Sequence, residues 1–183
     1  MSEDKDLTEH FVSGSRVYDG ALLKVNRDVV RLPDGSQGVR EYIRHPGAVA
    51  IVALFDDGAV LLERQFRYPH RRHFIEIPAG KLEPGEPHLQ TAKRELLEET
   101  GYAAADWTRL GVIHTSIAYT DESIELFLAK KLSRHDERKL DQGEFLETLI
   151  VPFDEALRMI REGRITDAKS VCGLLWVHHF GAP

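Results

Sequence analysis

The chain has 183 residues, 42% of them apolar, with 30 acids against 24 lysines and arginines for a formal charge of −6. The acid excess argues against a nucleic-acid partner, which needs clustered Lys and Arg, and a single cysteine allows neither an intrachain disulfide nor a cysteine zinc site. No apolar run nears the roughly 20 residues of a membrane span and the charged start MSEDKDLTEH has no signal-peptide core, so a cytoplasmic protein with no membrane partner is expected.

In chain order, residues 1–10 read as loose. Residues 16–44 alternate and break at Leu32-Pro33-Asp34-Gly35-Ser36, which predicts strands over 22–31 and 38–44 joined by a turn. Pro46-Gly47 marks a boundary. Residues 48–55 read as a buried strand, Asp56-Asp57-Gly58 as a hairpin turn, and 59–65 as its partner. A short strand over 74–77 leads to a glycine turn at Gly80. A helix is then predicted from 87 to 100, with Pro87 at its first position, Glu86 as its first-turn acid and Gly101 as its C-terminal cap. Further strands are predicted over 107–115, 124–131 and 147–151. Two helices follow, over 154–161 and 168–178, the second with Val171, Leu174, Leu175 and His178 on one face. Cys172 reads as a small core residue. Mixed strands with two or three helices predict an α/β layered domain.

The helix over 87–100 carries the strongest chemical signal. Leu89, Ala92 and Leu96 recur at helical spacing and should face the core. Glu95, Glu98 and Glu99 stand at i, i+3 and i+4, so their carboxylates share a face. Each such like-charge pair costs about 0.2–0.5 kcal/mol, and the last helical turn disfavours anions. A hard, oxygen-ligated cation would reverse that cost. Arg94, adjacent to Glu95, should point elsewhere, either back to Glu86 or onto a glutamate whose rotamer it holds.

Gly80, Glu86, Arg94, Glu95, Leu96, Glu98, Glu99 and Gly101 resemble the Nudix box position for position. That pattern is Gly, five residues, Glu, seven residues, then Arg-Glu-apolar-x-Glu-Glu-x-Gly-apolar. Tyr102 fills the last slot, where an aliphatic residue is more usual. HPGAVAIVAL, VLLERQFRYPH, FIEIPAGKLEPGE, SIAYTDESIELFLAKKL and DQGEFLE are similar to the ADP-ribose pyrophosphatase branch, so the resemblance runs from about 44 to 177. It implies a mixed sheet between helices over 46–183, preceded by a β-subdomain over 1–45 that exchanges across a homodimer.

The resemblance also implies the site. Glu95, Glu99, Glu98 and the Ala79 carbonyl become ligands of Mg²⁺, with Mn²⁺ as an alternative. Arg94 and Glu86 become orienting groups, and Gly80 and Gly101 the structural glycines of the box. Glu144, in the loop Asp141-Gln142-Gly143-Glu144, is the implied general base or further ligand, although Gln142 stands where some relatives place an acid. Arg67, Glu76, Arg44 and Glu122 become substrate contacts, and Tyr18 or Tyr42 could stack the base. His45, His70, His73 and His114 form no ligand pattern. Ile117 replaces a proline found in many members of the branch. The implied activity is hydrolysis of ADP-ribose to AMP and ribose 5-phosphate. The alternatives are another nucleoside diphosphate sugar, such as GDP-mannose, and a non-catalytic nucleotide sensor.

Overall fold

The computed structural model describes residues 5–135, 139–140 and 145–181. They divide into two compact units, Met1–His45 with Ser116–Glu122, and Pro46–Thr115 with Ser123–Pro183.

In the first unit an antiparallel sheet is ordered β1 (His10–Asp19), β2 (Lys24–Arg31), β3 (Gln37–Arg44). The turn between β2 and β3 forms as expected. Gly35 takes φ +88°, and Asp34 accepts from the Ser36 N–H at 2.9 Å. Strand β1 is not among the expected strands: it takes in His10, the last of the residues read as loose, and runs to Asp19, ahead of the two strands read in 16–44. Its ten residues are all exposed, so no inward face imposes alternation, and its pairing with β2 shifts register twice, between Phe11 and Ser13 and between Arg16 and Tyr18. Residues 116–122 join this unit through the Ile43 N–H, which donates to the Tyr119 carbonyl at 2.8 Å.

The second unit is a mixed sheet between helices. Its strands are β4 (Ala48–Leu54), β5 (Ala59–Arg67), β6 (Arg72–Glu76), β7 (Ala79–Lys81), β8 (Tyr102–His114), β9 (Ser123–Arg134) and β10 (Leu146–Pro152). The order is β10-β5-β4-β9-β8, with β6 on β5 and β7 on β4; of these strand pairs β4–β9 is parallel and the others are antiparallel. Strand β4 is buried on both faces, as its unbroken apolar run dictates. Ala48, Ala50 and Val52 face α2 (Phe153–Arg161) and α3 (Ala168–Phe180). Val49, Ile51 and Ala53 face Ala92 and Leu96 of α1 (His88–Thr100). Ile51, Leu61 and Leu96 are fully buried, each worth about 1.5–3 kcal/mol. Tyr102 packs edge-on against Phe55 with centroids 5.3 Å apart, so the aromatic in the aliphatic slot has a partner of its own kind.

Three local readings are corrected. Gly80 lies within β7, paired with Val49, not in a turn. Strand β8 begins at Tyr102, earlier than 107, because pairing with β9 overrides the weak strand preference of Ala103, Ala104 and Ala105. On α3, the buried residues are Lys169, Ser170, Gly173 and Leu174, whereas Cys172 and His178 are exposed. A β-carbon at Gly173 would lie 3.0 Å from Val52 Cγ2, so this helix approaches β4 on its smallest residues. Among the described residues, no helix is long and apolar enough to cross a membrane.

Candidate active site

Helix α1 starts after Pro87, whose extended ψ of 138° makes it the cap, and ends at Gly101, which takes φ +75° and donates its N–H to the Leu97 carbonyl at 2.8 Å. Glu86 therefore lies before the cap and outside the first turn. It is held by side chains instead. Arg94 donates to it through Nε at 3.1 Å and Nη2 at 3.0 Å, and the Thr91 hydroxyl donates at 2.8 Å. The Arg94 guanidinium holds the Glu86 carboxyl below the usual carboxylate range.

Arg94 does more than reach back. Its Nη1 lies 2.9 Å from Glu95 Oε1 and 3.0 Å from Glu98 Oε2, so the expectation that it points away from Glu95 fails. A long side chain lying along the helix reaches a neighbour's carboxylate even when the two Cβ vectors diverge. Glu86, then burial in the opposing sense, then Glu98 and Glu95 set the balance that raises the Arg94 pKa.

Two other carboxylates meet the strand that precedes the helix. Glu99, on the buried face of α1, accepts from the Ala79 N–H at 3.1 Å. Glu95 lies across Gly80, where an added β-carbon would overlap its carboxyl group. The glycine is thus needed for close approach rather than for a turn. Consecutive residues of β7 receive two carboxylates from consecutive turns of α1.

These residues fit a hard divalent cation in chemistry. All donors are oxygens, and Arg94 faces three carboxylates with one positive charge. Among the described residues, no three His, Cys, Asp or Glu side chains already converge on one point. Glu144 lies outside the described residues.

Arg67 and Glu76 meet each other. Arg67 forks onto Glu76, Nε to Oε1 and Nη2 to Oε2, both at 2.7 Å. The Arg67 side chain is 45% exposed and that of Glu76 5%. Glu76 also receives Lys169 Nζ, which donates in turn to Asp167 at 2.9 Å. Burial pushes the Glu76 pKa up, but the Arg67 fork and Lys169 outweigh it and hold it at about 2, from an ordinary 4.5. Its ionised form therefore stabilises the fold fully above about pH 4.5 and loses that contribution as pH falls towards 2. On the order of 3 kcal/mol is at stake. Glu76→Gln is expected to flatten the loss of stability between pH 4.5 and 2 in denaturant melts, at the cost of lower stability at pH 7; an unaltered acid limb would remove Glu76 as its cause.

In the first unit, Arg44 bonds Asp121 at 2.6 Å and the His45 N–H reaches the same carboxylate at 2.8 Å. Glu122 lies 3.5 Å from His45 Nε2. Ile117 is 82% exposed. The sequence reading missed Lys169, Asp167, Ser170 and Asp121. Asp167 had a readable signal, a capping residue before an apolar helix; it accepts from the Ser170 N–H at 3.1 Å and hydroxyl at 2.6 Å.

Residues 44–173 match the NUDIX domain, and residues 12–43 match the nucleoside diphosphate sugar hydrolase N-terminal domain. An ADP-ribose pyrophosphatase from Bacillus subtilis (strain 168) is 39% identical over 174 residues, covering 94% of each chain. A GDP-mannose pyrophosphatase from Cronobacter sakazakii is 35% identical, covering 93% of this chain and 90% of that one. A solved structure described as an ADP compounds hydrolase superposes with a TM-score of 0.84 at 22% identity, over 97% of this chain and 96% of its own, a likeness of fold.

Proposed function

We propose that this chain, which belongs to the NUDIX domain family, is a nucleoside diphosphate sugar pyrophosphatase that hydrolyses ADP-ribose to AMP and ribose 5-phosphate. One water enters: its oxygen becomes a phosphate oxygen of one product, and the bridging oxygen leaves with the other phosphate. The observation that carries this reading is the seating of Glu95 and Glu99 on Gly80 and Ala79, beside an Arg94 that meets three carboxylates.

Nudix hydrolases are generally dependent on a divalent metal. Glu95, Glu98, Glu99 and the Ala79 carbonyl are the proposed holders of Mg²⁺, with Mn²⁺ an alternative. When bound, such an ion neutralises phosphate oxygens and lowers the pKa of water. The chain's own residues supply the rest. Arg94 fixes the rotamers of Glu95 and Glu98 against mutual repulsion, using Glu86 as its anchor. Arg67 spends two of its five N–H donors on Glu76, leaving others for a phosphate oxygen. Glu76, with its oxygens engaged by Arg67 and Lys169, is better suited to hold Arg67 than to touch substrate. Glu144 retains its proposed role as general base or ligand, and Arg44 and Glu122 remain proposed substrate contacts.

A homodimer is also proposed. Phe11, Val12, Val17 and Tyr18 leave 41–68% of their surface exposed on β1, an apolar set that a partner copy would cover. GDP-mannose stays the second substrate reading, because Ile117 departs from the pattern of the ADP-ribose branch and a GDP-mannose pyrophosphatase matches over most of the chain.

The test is one preparation assayed with Mg²⁺ on ADP-ribose and GDP-mannose, with products identified by mass, and weighed by sedimentation. AMP and ribose 5-phosphate, formed at least about tenfold faster than GDP-mannose is cut and abolished by chelator, is the expected result, at twice the chain mass. Preference for GDP-mannose would exchange the two substrate readings; no turnover on either would revive the sensor.

A further inference from the structure

The amino end of α3 carries a charged side chain in a place where charge is costly. Lys169 keeps 11% of its side-chain surface and Glu76 5%. A buried ion pair of this kind is commonly no more stable than apolar residues of the same volume, so stability alone gives no account of it. Its connections do. Arg67 Nη2 and Lys169 Nζ share one oxygen of Glu76, Oε2. Lys169 is fixed in turn by Asp167, the cap of α3. Ser170, held by the same cap, accepts the Ile77 N–H at 2.8 Å. One helix turn thus grips the Glu76 side chain and the next residue's backbone. Two and three residues further on, Ala79 and Gly80 receive Glu99 and Glu95.

We propose that Lys169 is a positioning residue for anionic substrate: by holding Glu76 Oε2 from α3, it fixes the carboxylate onto which Arg67 forks and so keeps the free edge of the guanidinium in place for phosphate. Arg67, Glu76, Lys169 and Asp167 together are neutral. Without Lys169, Glu76 loses its anchor on α3 and the guanidinium forked onto it loses its fixed position. That loss of position weakens binding. The proposal rests on the reading of Arg67 as a phosphate contact.

The test measures ADP-ribose and GDP-mannose binding by calorimetry in chelator, where no turnover occurs, for the wild type, Lys169→Met, Lys169→Gln, Lys169→Arg, Arg67→Met and the Lys169→Met/Arg67→Met double variant. Lys169→Met should weaken binding about tenfold and Lys169→Arg should recover most of it. The double variant should bind no more weakly than Arg67→Met alone, since the two residues act through one contact. If Lys169→Met does not fold, Lys169→Gln carries the same expectation. A lower melting temperature with unchanged affinity, or effects of Lys169 and Arg67 that add, would overturn the positioning role while leaving Arg67 in place. Unchanged affinity in Arg67→Met would overturn the phosphate contact itself, and a wild type that bound neither nucleotide sugar would overturn both.

Discussion

Glu99→Gln is expected to lower Mg²⁺-dependent turnover of ADP-ribose by at least about 10²-fold while leaving the protein as stable as before, or slightly more so. The amide oxygen of glutamine can still accept the Ala79 N–H, which the Glu99 carboxylate takes at 3.1 Å, so the seat on β7 survives. What disappears is the charge. That charge sits in the last turn of α1, 6% exposed, one residue from Glu98 and four from Glu95. Relief from the helix dipole and from like-charge repulsion amounts to about 0.3–1 kcal/mol, which offsets the small loss from a weaker hydrogen bond. Activity and stability therefore move apart, and kcat measured beside a thermal melt separates the readings. A structural Glu99 would lose both in step. Unchanged turnover in a folded variant would remove Glu99 from the proposed metal set.

The local parts of this arrangement were legible and the long-range parts were not. Leu89, Ala92 and Leu96 with Gly101 define α1, because helix period and cap are written within one stretch of chain. The placement of Glu95, Glu98 and Glu99 follows from the same 3.6-residue period. The contact between Glu76 and Lys169 spans 93 residues, and no periodicity encodes it. Helix α3 misled for a different reason. It is apolar nearly all round, so the pattern of large residues does not choose a face. The face was decided by close approach at Gly173 and by polar bonds from Lys169 and Ser170, which turned Cys172 and His178 outward. Strand β1 was missed because it has no buried side to alternate towards. Gly80 was found for the wrong reason: its spacing marked it, but its need is space for Glu95 rather than a turn.

That need makes the second large effect specific. Gly80→Ala places a β-carbon inside the volume of the Glu95 carboxyl group. Gly80 is not among the glycines with positive φ, so alanine suits its backbone, and loss of glycine's unfolded-state freedom contributes about 0.4–1 kcal/mol of stability. The clash falls on the far end of a flexible side chain, which swings away at little cost to the fold. Glu95 then leaves both Gly80 and the Arg94 Nη1 contact at 2.9 Å. Stability within about 1 kcal/mol of wild type, with turnover down about 10²-fold, is the expected pair of results from denaturant melts and steady-state kinetics. The Glu95→Ala background supplies the control. With the carboxylate gone, Gly80→Ala has nothing to displace, and the two substitutions together should be no worse than Glu95→Ala alone. A full further loss in that background would mean that Gly80 serves the reaction through its backbone and not through the room it leaves for Glu95.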